Sequence, residues 1–166
     1  MKILLLFVVF TCCVVVGILI RKYYRKRKDF FLDFKRFCDD LINDISYKNE
    51  KIEIIIKNKI RLYNYDFAQV LNLFLQNILN NFDKDSFEKA VCKILNFLSE
   101  EEKKFLLEFF YNIGGLSKEE ELIRTNEIKK EIDFLKNEAL QKEKKFSNLY
   151  FKLFVILGLI LIIFFI

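Results

Sequence analysis

Residues 3–28 read ILLLFVVFTCCVVVGILIRKYYRKRK. The first 18 of them carry no charge and the last eight carry six basic side chains. A charged side chain costs about 3 kcal/mol at the centre of an inserted helix, so an uncharged run of this length is expected to lie in a membrane. Lys and Arg collect on the cytoplasmic side of such helices. Residues 1–20 are therefore read as an N-terminal transmembrane helix. Residues 21–28 form a basic juxtamembrane collar of Arg21, Lys22, Arg25, Lys26, Arg27 and Lys28, with Tyr23 and Tyr24 among them. A cleaved signal peptide is the competing reading. Its apolar core would be 7–15 residues, and a small-residue cleavage site would follow it. This run is longer and has no such site. Phe10 also spoils a lipoprotein signal at Cys12.

The other end mirrors the first. Residues 153–166 are uncharged and span about 21 Å as a helix, against a hydrocarbon core of about 30 Å. Counting from Leu149 gives about 27 Å with Lys152 inside, and a lysine there can snorkel to the interface. Tyr150 would lie at the same level. Residues 149–166 are thus expected to be a second transmembrane helix, a buried core helix being the alternative. Lys142, Lys144, Lys145 and Lys152 precede it and no charge follows. Both collars flank residues 29–148, so this middle part is expected to be cytoplasmic and the ends to lie across the membrane.

The middle should be helical. The chain of 166 residues has no proline and only Gly17, Gly114, Gly115 and Gly158 for glycine. Sheets need turns, and turns usually need Gly or Pro. The fold class is therefore all-α: a helical bundle between two membrane helices. The formal charge of +5 does not point to nucleic acid. Residues 29–116 hold 12 basic and 15 acidic side chains, so the excess lies in the collar and no basic stripe faces a phosphate backbone. Cys12, Cys13, Cys38 and Cys92 show no CxxC spacing and are expected to be reduced.

Phe30, Phe31, Phe34, Phe37, Cys38, Leu41, Ile42 and Ile45 recur at helical spacing, and nothing breaks a helix between residues 20 and 30. Further helices are expected over residues 52–63, 67–79, 85–98 (capped by Asp85 with Glu88) and 99–113 (opened by a Ser99 capping box). Gly114-Gly115 should close the last of these, and Ser117 with Glu120 should open another. Gly114, Gly115 and Ser117 are thus the expected helix-turn residues. From residue 118 onward Ile128, Ile132, Leu135, Ala139, Phe146, Leu149 and Leu153 form a heptad-like seam. Its partner is either the first long helix, antiparallel, or else a second copy in a homo-oligomer or another protein.

The chain has no histidine, so His-based catalysis is excluded. Four scattered glycines permit neither a P-loop nor a dinucleotide fingerprint. Asp39, Asp40 and Asp44 read as a solvated helix face. No catalytic, cofactor-binding or metal-binding residue is expected, and the chain is not expected to be an enzyme.

Several letters carry a likeness. Gly115 follows a helix, Ala139 lies in a long polar helix, and Leu149-Tyr150-Phe151-Lys152-Leu153 leads into the last apolar run, with Gly158 beyond. Upstream stands Asp44-Ile45-Ser46-Tyr47. In layout and at these positions the chain resembles the stage III sporulation protein AB family. It departs from the pattern in lacking a proline after Tyr47, in Lys118 and Leu122, and in Phe154. The resemblance implies a membrane protein on the mother-cell side of the envelope around a developing endospore. It implies a soluble domain similar to those of type II secretion platform proteins. Its partners would be the membrane, a cytoplasmic secretion-type ATPase and other sporulation channel subunits, and its role that of a non-enzymatic scaffold coupling them. The rival expectation is a lipid-organising structural membrane protein with a coiled-coil helix and no ATPase partner.

Overall fold

The computed structural model describes residues 2–48, 50–79, 83–113 and 117–165, with the backbone alone for 2–6, 48, 118 and 165. Gly114 and Gly115 lie outside the described residues. Among those residues every element is helical. In order these are α1 (Lys2–Lys48), α2 (Ile52–Lys59) with a 3-10 turn (Ile60–Leu62), α3 (Tyr65–Leu79), α4 (Lys84–Ile94), α5 (Glu100–Asn112), α6 (Lys118–Lys142), a π-helical turn (Glu143–Ser147) and α7 (Asn148–Phe165). The chain forms two compact units. One is Asp29–Lys136, the central unit; the other joins Met1–Lys28 to Asn137–Ile166, the terminal unit. Residues 137–148, which the charge pattern groups with the middle, pack in the terminal unit.

The central unit is built on phenylalanine. Phe30, Phe31, Phe34, Phe37, Cys38, Leu41 and Ile45 of α1 are all buried, as their spacing requires. The rest of the core comes from Phe67, Val70, Leu71 and Phe74 of α3, Phe87 and Val91 of α4, and Leu106, Phe109 and Phe110 of α5. The rings pack edge-on or tilted, with Phe34 5.0 Å from Phe109 and Phe74 4.8 Å from Phe110. Such geometries add to the gain from burying the rings.

Local signals place the helix ends. Ser99 and Glu102 close a reciprocal capping box: the Ser99 amide donates to Glu102 Oε2 at 2.9 Å and the Glu102 amide donates to Ser99 Oγ at 3.2 Å. Ser99→Ala should cost about 1 kcal/mol, measured by equilibrium unfolding of the full chain. Ser117 and Glu120 form the same box on α6. The cap of α4 differs from expectation. It is Asp83, whose side chain accepts from the amides of Asp85 and Ser86, so the helix starts at Lys84. An Asp three residues before a Ser caps as well as one three residues before a Glu, and the sequence offers both.

Asp39, Asp40 and Asp44 are not a solvated face. Lys59 bridges Asp40 at 2.8 Å and Asp44 at 2.6 Å, the Tyr63 hydroxyl donates to Asp40 at 2.7 Å, and Asp39 pairs with Lys35 and with Lys129 of α6. The three carboxylates therefore tie α1 to α2, to the turn before α3 and to α6. Burial opposes ionisation of Asp39, but hydrogen bonds from Lys129 and Lys35 outweigh it and hold the carboxyl below its usual range. Burial, followed by the bond to Asp40, pushes Tyr63 far above the usual phenol range. A raised folded-state pKa contributes stability that is full below the unfolded value of about 10 and fades as pH climbs through the folded value. In alkaline spectrophotometric titration, Tyr63 should ionise only as the central unit unfolds, and Tyr63→Phe should remove that late step.

The terminal unit is an antiparallel helix pair. A Cβ built on Gly158 would stand 2.8 Å from Phe10 Cδ2 and 3.3 Å from Cys13 Cβ, and one on Gly17 3.2 Å from Phe151 Cδ2 and 3.5 Å from Phe154 Cβ. Small residues let helices in a bilayer approach closely, and here each helix of the pair contributes one. Two helices, taken over Phe7–Tyr47 and Glu119–Phe164, are long and apolar enough to cross a membrane, which fits a membrane protein.

The expected seam holds only part of the way. Ile132 and Ala139 are fully buried, but Leu149 and Leu153 are 53% and 48% exposed. The next buried position after Ala139 is Ser147, eight residues on rather than seven. The π-helical turn at Glu143–Ser147 accounts for the difference. It holds one extra residue, and one residue is about 100° of rotation on a helix. The inner face of α7 thus passes from Leu149 and Leu153 to Phe151, Phe154 and Gly158.

Candidate membrane-interface site

The collar residues do not act alike. Arg21, Lys22 and Arg25 are exposed, Lys26 and Lys28 half-buried, and Arg27 is 7% exposed. Arg27 Nη2 lies 2.9 Å from Glu138 Oε2, and Lys142 Nζ reaches the other oxygen, Oε1, at 2.5 Å. The hydrogen bond from Lys142, helped by the Arg27 bond and opposed by burial, holds the Glu138 carboxyl below its usual range. Buried arginines require such a partner, because an isolated buried charge is expensive. Arg27 thus fastens α1 to the end of α6.

One turn earlier lies an aromatic stack. Tyr24 stands 6.0 Å from Phe146 and 6.4 Å from Tyr150, nearly parallel to the latter at 4°. Tyr23 meets Tyr24 edge-on at 5.6 Å, and the Lys145 ammonium lies 5.4 Å from the Phe146 ring centre. Beside the stack runs an open groove of about 440 Å³ lined by Leu19, Ile20, Tyr23, Tyr24 and Tyr150. Amphipathic rings of this kind sit at the level where hydrocarbon gives way to headgroups. Lys152 is exposed.

The structure therefore joins Arg27 and Tyr150 in one region through Tyr24, Glu138 and Phe146. Ser117 belongs to a helix cap in the central unit. Sequence reasoning missed Glu138. The Glu138-to-Lys142 spacing of four is visible, but a partner 111 residues earlier is not. Among the described residues no group of three or more Cys, Asp or Glu is arranged to hold a metal.

The family model of stage III sporulation protein AB matches residues 2–166, so it takes in both terminal helices, the collar and the central unit. The chain belongs to this family. As a member it is a sporulation-related protein. No curated protein and no solved structure matches it.

Proposed function

We propose that this family member is a non-enzymatic membrane scaffold of an endospore-formation channel complex, coupling a cytoplasmic secretion-type ATPase to membrane subunits. The observation that carries the reading is the family match over residues 2–166, on a chain that divides into a helical unit and a membrane-type helix pair. The basic collars on both sides of the middle support a cytoplasmic central unit, because Lys and Arg collect on the cytoplasmic side of membrane helices. In a sporulating cell this is the mother-cell side. The central unit offers the ATPase a surface, and the helix pair offers channel subunits an apolar one.

The test is co-purification of a secretion-type ATPase with the full chain from detergent-solubilised sporulating cells, paired with deletion of the gene. Retention of the ATPase and arrested sporulation are expected. No retention, together with full sporulation after deletion, overturns the proposal. The exposed Arg21, Lys22 and Arg25 favour a second reading, a lipid-organising protein without an ATPase. On that reading no ATPase co-purifies with the chain, and neutralising these three residues abolishes sporulation.

A further inference from the structure

We propose that the groove beside Tyr24 seats one anionic phospholipid. This rests on the reading of the terminal unit as membrane-embedded. The groove lies across the boundary between the two media. Leu19 and Ile20 belong to the uncharged run, Tyr23 and Tyr24 to the basic collar that follows it, and Tyr150 to the start of α7. The lining is apolar throughout, aliphatic side chains and ring faces together, which suits an acyl chain, and the basic collar adjoins it, which suits a charged head. An acyl chain lies along Leu19, Ile20 and the tyrosine rings, and the headgroup reaches the basic side chains of the collar.

Charge selects the headgroup. Residues 21–28 and 137–152, the water-facing part of this unit, hold ten basic and two acidic side chains. One of the two acids, Glu138, is already shared between Arg27 and Lys142, leaving the cluster with net positive charge. A zwitterionic head gains little from such surroundings. An anionic one gains about 1 kcal/mol for each basic residue near it. A packed transmembrane helix, from a partner or a second copy, would need a groove that continues down the bilayer. This one stops within a turn of the boundary, at Leu19.

The chain has no tryptophan, so one introduced at Leu19 is a unique reporter inside the groove. The full chain is reconstituted in mixed bilayers in which either phosphatidylglycerol or phosphatidylcholine is brominated. Parallel reporters are Ile18→Trp, exposed but outside the groove lining, and Ile156→Trp, exposed on α7. Quenching at Leu19→Trp is expected to favour phosphatidylglycerol by about fivefold, the ratio one basic residue supplies. Ile18→Trp should show a much smaller preference. Equal preference at both positions overturns the seat in favour of diffuse attraction by the collar. Equal quenching of Leu19→Trp by the two lipids overturns it as well. Weak quenching there by both, with normal quenching at Ile156→Trp, overturns it and points to a protein occupant. An unquenched Ile156→Trp shows that the membrane reading itself has failed. The unsubstituted chain gives a check free of the reporter. Native mass spectrometry from mixed micelles should show one retained phosphatidylglycerol per chain, and retention of none counts against the site.

Discussion

Phe34→Ala is expected to remove a large share of the stability of the central unit. Phe34 is fully buried and has the rings of Phe30, Phe67, Phe105 and Phe109 within 6.4, 5.8, 6.3 and 5.0 Å. Removing a buried phenyl ring forfeits its transfer free energy and leaves a cavity, together about 3–5 kcal/mol. Whole domains are stable by only about 5–15 kcal/mol. Neighbouring rings cannot close the gap cheaply, because each is held by contacts of its own. Phe109 also packs on Phe37 and Phe110, and Phe67 on Tyr63. Hydrogen exchange on the full chain should show residues 29–136 losing protection as a block. Phe34→Leu keeps most of the volume and should lose less than half as much. A Phe34→Ala protein with unchanged protection would mean that the ring cluster is not what holds these helices together.

The second large effect is in the π-helical turn, and its sign depends on whether a residue is added or removed. Ala139 and Ser147 both face inward although eight residues separate them, and the turn at Glu143–Ser147 absorbs the surplus. Deleting Lys144 brings the two to heptad spacing and lets a regular α-helix present the same face, so the helix pair should survive. Inserting one alanine after Lys145 adds about 100° of rotation and turns Gly158 away from Phe10. The readout is a disulfide. A Cβ on Gly158 lies 3.3 Å from Cys13 Cβ, close to the usual span of about 3.5–4.5 Å. With the other cysteines replaced by serine, Gly158→Cys should cross-link to Cys13 on oxidation. The deletion should keep the cross-link and the insertion should lose it. Loss in the deletion variant would show that the turn does more than absorb one residue.

The fold was legible where the physics is local. Helical spacing from Phe30 to Ile45 and the Ser99 capping box involve residues within a turn or two, and the structure has both where the sequence puts them. The uncharged ends were legible because a bilayer penalises charge uniformly. What was not legible depends on partners distant along the chain. Asp40 and Asp44 look like solvent-facing carboxylates until Lys59 and Tyr63 are brought against them. Arg27 looks like its five collar neighbours until Glu138 arrives to receive it. The π-helical turn has no letter of its own, since Glu143-Lys144-Lys145-Phe146-Ser147 fits an ordinary helix. Only the need to bring both Ala139 and Gly158 to the same side calls for it.

The two glycines of the helix pair have a consequence for how much of the terminal sequence is free to change. Gly17 meets Phe151 and Phe154, and Gly158 meets Phe10 and Cys13, so the helices touch closely at two separate depths. One such contact would fix the spacing yet leave the helices free to swivel. Two fix the rotation as well. Most of the remaining apolar side chains described in these runs are exposed and need only be greasy. Valine can stand for isoleucine, and phenylalanine for leucine, at little cost. A stretch that looks repetitive therefore stores its instructions in a few small side chains, and the rest of its alphabet can drift with the composition of the genome that encodes it.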